Sequence, residues 1–253
     1  MLMEQTLDKL HELRLPGMAA ALEEQRAGSA AHDLGFEERL TLLLERESTW
    51  RDNRRLQRLL RDAKLRLPSA TPEGIDFRSP RGLDRSVMLR LGAADWVQRH
   101  QVLLLLGPTG VGKTYIACAL GHAACRHGLS TRYFRMPRLL SDLAIARADG
   151  SYPKLLARLS RTDLLILDDW GLAPIGDAER RDLLEILEDR YGRRATLVTS
   201  QLPTEHWHEY IASPTLADAI LDRLVHGAHK VIMKGGSMRK REAARIAELP
   251  SEN

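Results

Sequence analysis

The stretch Val102–Thr114, VLLLLGPTGVGKT, constrains this chain more than any other. Five apolar residues run into a Gly-rich turn, and Lys113 and Thr114 open a predicted helix, TYIACALGHAACRHG. The pattern is GxxxxGK[ST], carried by Gly107, Pro108, Thr109, Gly110, Val111, Gly112, Lys113 and Thr114. Glycines allow positive φ, so that backbone N–H groups converge on phosphate oxygens. The following helix aims its positive dipole end at the same anion. In this pattern Lys113 reaches the β/γ-phosphates and the Thr114 hydroxyl is a ligand for Mg²⁺. An ordinary strand–turn–helix is the competing reading. The Val/Leu run before the turn is what a strand buried on both faces requires, and Ile116, Ala117, Leu120 and Ala124 after it keep helical spacing.

The rest of the chain supplies the setting for such a loop. Residues 1 to 67 read as helices: Leu7, Leu10, Leu13 and Leu15 form a stripe, Pro16-Gly17 breaks it, Met18–Arg26 follows, and a longer run leads from Leu40 to Leu67. From Pro68 to Pro80 turn formers replace the periodic pattern and mark a linker. Residues 81–253 then form the nucleotide-binding domain. Gly82–His100 reads as a helix feeding the loop strand. Strands are predicted at Thr131–Met136, Leu164–Asp169, Ala195–Ser200 and His229–Met233. Helices fill Pro137–Leu159 (interrupted near Asp149-Gly150), Ala178–Tyr191 and Leu216–Val225. Alternating strands and helices predict an α/β fold, a five-stranded parallel sheet between helices, preceded by a small all-helical domain.

Composition excludes some classes. No apolar run approaches the roughly 20 residues of a membrane span, and the acid-bearing, amphipathic start is unlike a secretory signal. The two cysteines, Cys118 and Cys125, give no disulfide framework. A cytoplasmic protein without a membrane partner is expected. Paired histidines, His206/His208 and His226/His229, lack companion ligands and are read as surface residues.

LLILDD supplies what the phosphate loop lacks. Its strand brings Asp168 to the carboxyl edge of the sheet, where open α/β sheets bind ligands. There Asp168 would hold Mg²⁺ through water and Asp169 would polarise an attacking water; helix-capping acids before Gly171 are the alternative. ATLVTSQLP ends a further strand with Thr199, Ser200 and Gln201, of which Gln201 is the candidate to orient that water, against plain turn chemistry before Pro203. The net charge of +4 is modest, but arginine is clustered. Arg51, Arg54, Arg58 and Arg61 fall three and four apart on one predicted helical face, with Arg55 beside them. Arg forks fit phosphate oxygens, so this set is the candidate DNA contact. A solvated face laced with Glu45, Glu47, Asp52 and Asp62 is the bland alternative.

Phosphate loop, LLILDDWG, TSQLP and the late ILDRL and KGGSMRKR together resemble AAA+ ATPases of the initiator clade. The chain is most similar to IstB-like insertion-sequence helper ATPases, with DnaC-like helicase loaders next. The resemblance implies ATP held with Mg²⁺ between neighbouring subunits of a homo-oligomer, with an arginine from one subunit reaching the γ-phosphate of the next. Arg223, in ILDRL, matches that position; a helix-surface arginine paired with Asp218 or Asp222 is its alternative. Arg239 resembles the second sensor arginine more loosely. The chain ends 14 residues after it, so a reduced or absent carboxyl-terminal lid is expected. Asp169 stands where most AAA+ proteins carry Glu, which implies slow hydrolysis without a partner and suits a switch.

The function this implies is an ATP-dependent transposition helper that oligomerises on double-stranded DNA and recruits a cognate transposase. A DnaC-like loader of a replicative helicase is the alternative. A phosphate-loop phosphotransferase is a third reading, against which the adjacent acids, late arginines and helical prefix count. An ATP-binding assembly protein that barely hydrolyses also fits.

Overall fold

A computed structural model describes residues 2–28, 33–238 and 240. The chain divides into two compact units, Met1–Arg58 and Leu59–Asn253. Helices α1 (Leu2–Glu12), α2 (Pro16–Ala27) and most of α3 (Phe36–Ala63) make the first. Pro16 occupies the first turn of α2, where its missing N–H costs nothing. The free amides of Gly17 and Met18 there donate to the buried Glu47 carboxylate of α3, at 2.8 and 3.1 Å. Arg51 Nε donates to the same carboxylate at 2.7 Å, so one buried acid is satisfied from two helices.

The second unit is built on five strands, β1 (Val102–Leu106), β2 (Thr131–Arg135), β3 (Leu164–Trp170), β4 (Ala195–Ser200) and β5 (His229–Ile232). They run parallel in the order β2-β3-β4-β1-β5. The intervening helices are α4 (Arg85–Gly92), α5 (Asp95–Gln98), α6 (Lys113–Arg126), α7 (Met136–Asp149), α8 (Tyr152–Arg161), α9 (Asp177–Arg190), α10 (Trp207–Ile211) and α11 (Pro214–Val225). Period-2 alternation sends Leu104, Leu106, Leu165, Leu167 and Val198 to one face, where they pack with Leu139, Leu183, Trp207 and Ile220. Helix α6 lies against β1, β2, β3 and β4. Because both faces are covered, strands such as VLLLL and LLIL are apolar throughout. Every carboxyl end therefore opens on the same edge, with the glycine turn leaving β1 between β4 and β5.

Three expectations change. Gly82–His100 is two short helices, broken where Ala94 adopts φ 62° and Trp96 Nε1 donates to Leu91 O at 3.0 Å. The long helix expected to reach Leu67 stops at Ala63. Lys64 turns with φ 51° so that Ala63 and Leu65 are both buried. Residues 59–67, read as the end of the helical module, thus fall in the second unit.

Arg190, at the end of α9, is 1% exposed and knits this unit together. It donates to the carbonyls of Leu159, Thr162 and Ala195 and to Thr196 Oγ1. Burial pushes its pKa down to about 9, so it is still charged at neutral pH. Arg190→Met leaves three buried carbonyls without donors, an expected cost of about 3 kcal/mol. A thermal melt should show a midpoint lower by roughly 10 °C; an unchanged midpoint would remove Arg190 from the framework.

Candidate functional site

The sequence GPTGVGKT forms a loop between β1 and α6 that is gripped on its outer side. Gly107 has φ 148°, and a Cβ there would fall on the carbonyl oxygen of Met233. Gly112 has φ 100°, and a Cβ there would lie 2.6 Å from Arg81 Nη1. Glycine is required at both for conformation, and at Gly107 for space against the Met233 backbone as well. Arg81, buried between linker and loop, donates to Val111 O at 3.0 Å. The segment after β5 closes over the same turn, with Met238 N donating to Gly110 O at 2.8 Å. Val111 itself is fully buried. Lys113 Nζ donates to Gly107 O and Pro108 O at 2.7 and 2.9 Å, which folds its ammonium back across the loop. Burial lowers the Lys113 pKa from its ordinary value, against the raising effect of Asp168 and Asp169.

Thr114, one residue into α6, donates to Asp168 at 2.9 Å from Oδ2. Asp168 is wholly buried at the end of β3 and also accepts from Thr199 Oγ1 of β4 and Tyr133 OH of β2. Burial, then the hydrogen bond to Asp168, raises the Tyr133 phenol pKa, so Tyr133 remains a donor. Asp169 takes φ 65°, beside a register shift in the β3–β4 pairing. The Asp169 carboxylate accepts from Arg135 Nε at 2.9 Å, and its amide donates to Thr199 Oγ1 at 3.2 Å. Arg66 Nη1 lies 4.0 Å from Asp168 Oδ2 and 3.9 Å from Asp169 Oδ2. Gln201 is exposed and accepts from Thr109 Oγ1 of the loop.

The hydroxyl of Thr114 and the carboxylate of Asp168 are hard oxygen donors of the kind Mg²⁺ takes, few in number, as suits an ion that keeps water and phosphate ligands. Backbone turn, ammonium and helix start meet beside them. The residues present therefore fit a magnesium–triphosphate.

Other candidates lie elsewhere. Arg223, in the last turn of α11, pairs with Glu188 of α9 and donates to Ala219 O at 2.9 Å. It lines a cleft of about 260 Å³ with Val102, at the amino end of β1, a strand's length from the phosphate loop. Its ion partners are Glu188 and Asp222, the latter at 3.7 Å. On α3, Arg51 is held by Glu47, Arg54 sits 5.0 Å over the Trp50 ring, and Arg61 lies 3.7 Å from Asp62. All five arginines from Arg51 to Arg61, Arg55 and Arg58 included, are exposed. Arg239 lies outside the described residues. A cleft of about 790 Å³ borders the amino end of β2 and α8 rather than the loop. Asp169 lines a smaller cleft of about 220 Å³ with Met136, Ser141 and Tyr210. No helix among the described residues is long and apolar enough to cross a membrane.

Sequence reasoning missed Arg66, Arg81, Tyr133 and Arg135. Tyr133 and Arg135 come to Asp168 and Asp169 through the β2–β3 register, Arg135 opposite Asp168, which no single-chain pattern states.

The family model described as IstB-like ATP binding protein matches residues 8–246. An insertion-sequence ATP-binding protein of Sinorhizobium fredii (strain NBRC 101917 / NGR234) is 53% identical over 242 residues, 96% of this chain and 98% of the relative. The IS1162 ATP-binding protein of Pseudomonas fluorescens is 54% identical over 204 residues, 81% of this chain and 88% of the relative. Among solved structures, the DnaC helicase loader superposes with TM-score 0.53 at 18% identity, covering 65% of this chain and 97% of that one. AMPPCP-bound DnaA from Aquifex aeolicus gives TM-score 0.54 at 16% identity, with 73% and 58% covered. These likenesses give the fold of the second unit, a parallel sheet between helices.

Proposed function

The chain belongs to the IstB-like ATP-binding family, and from that membership we propose that it is a magnesium-dependent ATPase that assembles on duplex DNA and recruits a transposase. The observation that carries the reading is the meeting of Lys113, Thr114 and Asp168 at one sheet edge, with Asp169 beside them. The turn from Gly107 to Gly112, Pro108 excepted, offers backbone amides to the phosphates, and Lys113 and Thr114 reach the outer phosphates and the metal. Mg²⁺, which Thr114 and Asp168 would hold, would supply positive charge against the phosphates. Asp169 polarises the attacking water once it is released from Arg135, and Gln201 with Thr109 orients it. The extra step of breaking that ion pair suits slow turnover without a partner.

The helices up to the end of α3 would be the assembly and DNA-contacting module, and the rest of the second unit, residues 64–253, the ATPase. Arg223 would act on the neighbouring subunit's nucleotide, consistent with its distance from the loop of its own chain. The family's insertion-sequence relatives favour a transposase over a helicase as client. Pull-down against each partner separates the two, and capture of the helicase alone would overturn that choice.

Duplex binding in the presence of a non-hydrolysable ATP analogue tests the assembly. Neutralising Arg54, Arg58 and Arg61 together to Gln should weaken binding at least about tenfold at physiological salt and flatten the log K against log salt slope by about 0.9 per arginine. Thermal melts control for the lost Arg54–Trp50 contact. Unchanged affinity and slope in a folded triple variant would remove the α3 face from the DNA contact.

A further inference from the structure

Asp168 and Asp169 each bring a carboxylate to within about 4 Å of one guanidinium, and a regulated ATPase gains nothing from holding a metal before its nucleotide arrives. Arg66 addresses this. Its guanidinium stands about equally far from Asp168 and Asp169, 4.0 and 3.9 Å. That is close enough to be felt by both charges and too far to occupy their oxygens. Asp169 has a tighter partner in Arg135. Asp168, the metal-facing acid, has hydroxyl donors and Arg66 as its nearest cationic side chain among the ion pairs of the described residues.

The position of Arg66 is built into the main chain. Ala63 and Leu65 are buried on either side of the turn at Lys64, and Ala70 closes the segment, its amide donating to Leu67 O at 3.1 Å. The backbone of Arg66 and Leu67 lies beside the sulfur of Cys118. Cys118 lies four residues after Thr114 on α6, hence one turn along the same face. Arg66 is thus tied to the helix that presents Thr114, while its side chain also engages the Tyr133 phenol.

We propose that Arg66 is a positioning residue that offsets the charge of the Asp168–Asp169 pair, keeping divalent metal weakly bound until ATP supplies further ligands. This rests on the magnesium–nucleotide reading of the site.

The test uses the full chain, with Mn²⁺ as the probe followed by electron paramagnetic resonance, no nucleotide present. Arg66→Gln should bind Mn²⁺ at least about fivefold more tightly than the parent, the factor a unit charge near 4 Å exerts even in water. Arg66→Lys, which keeps the charge, should remain within about twofold of the parent on the same electrostatic ground. Thermal melts show that each is folded, and Arg66→Met replaces the Gln variant if that one is not. Equal Mn²⁺ affinity in parent and charge-removed variant overturns the inference, since a purely structural Arg66 would change the melt and not the metal. Failure of the parent to bind an ATP analogue with Mg²⁺ would instead overturn the nucleotide reading itself.

Discussion

Asp169→Asn is expected to lower phosphate release by on the order of 10²- to 10⁴-fold, the range for loss of a general base, while ATP-dependent assembly on duplex DNA persists. The amide matches the carboxylate in shape and tolerates the positive φ at this position, because Asn is among the few residues found there readily. Asp168, with its three hydroxyl donors, is left intact. The cost falls on the ion pair with Arg135, which lies at a half-exposed edge of the site and contributes modestly to stability. Phosphate release and DNA assembly, measured on the same preparation, separate the two roles. Assembly lost together with turnover would mean that the Asp169–Arg135 pair holds the site together rather than serving the reaction.

The parts of this site that sequence revealed are those encoded in contiguous residues. GPTGVGKT and LLILDD each carry a strand, a turn and the reactive groups in a single run, and period-2 apolarity places them at one sheet edge. Alternating apolar and helical stretches likewise gave β4 at Ala195–Ser200 with the residues the structure assigns. What was hidden depends on register and on side chains crossing between elements. Thr199 was visible as a polar strand end, yet only the β3–β4 pairing shows it bonded to both Asp168 and the Asp169 amide. Arg66 and Arg81 stood in stretches that look like a helix end and a linker. Their reach to the acids and to Val111 follows from the turn at Lys64 and from packing of the linker on the loop. The arginine face of α3 illustrates the opposite difficulty. Its spacing was plain, but Arg51 and Arg54 already have partners in Glu47 and Trp50, so spacing alone overstates how many are free for phosphate.

Arg223→Ala is expected to cost on the order of 10³-fold in turnover, the lower end for loss of an arginine that stabilises the γ-phosphate in the transition state. The competing role is visible in the fold. Arg223 ties α11 to α9 through Glu188, so its loss could act by loosening the second unit. A mixing experiment distinguishes the two. Arg223→Ala subunits retain Asp169, and Asp169→Asn subunits retain Arg223; each is inactive in its own assembly. Where subunits meet head to tail, a random equal mixture places an intact Asp169 against an intact Arg223 at about a quarter of the interfaces. Turnover should recover to roughly that fraction of the parent rate when ATP and duplex DNA are present. An arginine acting only through Glu188 would give no recovery on mixing, and Glu188→Gln would then reproduce the defect. Recovery together with near-normal turnover in Glu188→Gln would assign Arg223 to the neighbouring nucleotide, and the α9 ion pair would be where the arginine rests between encounters.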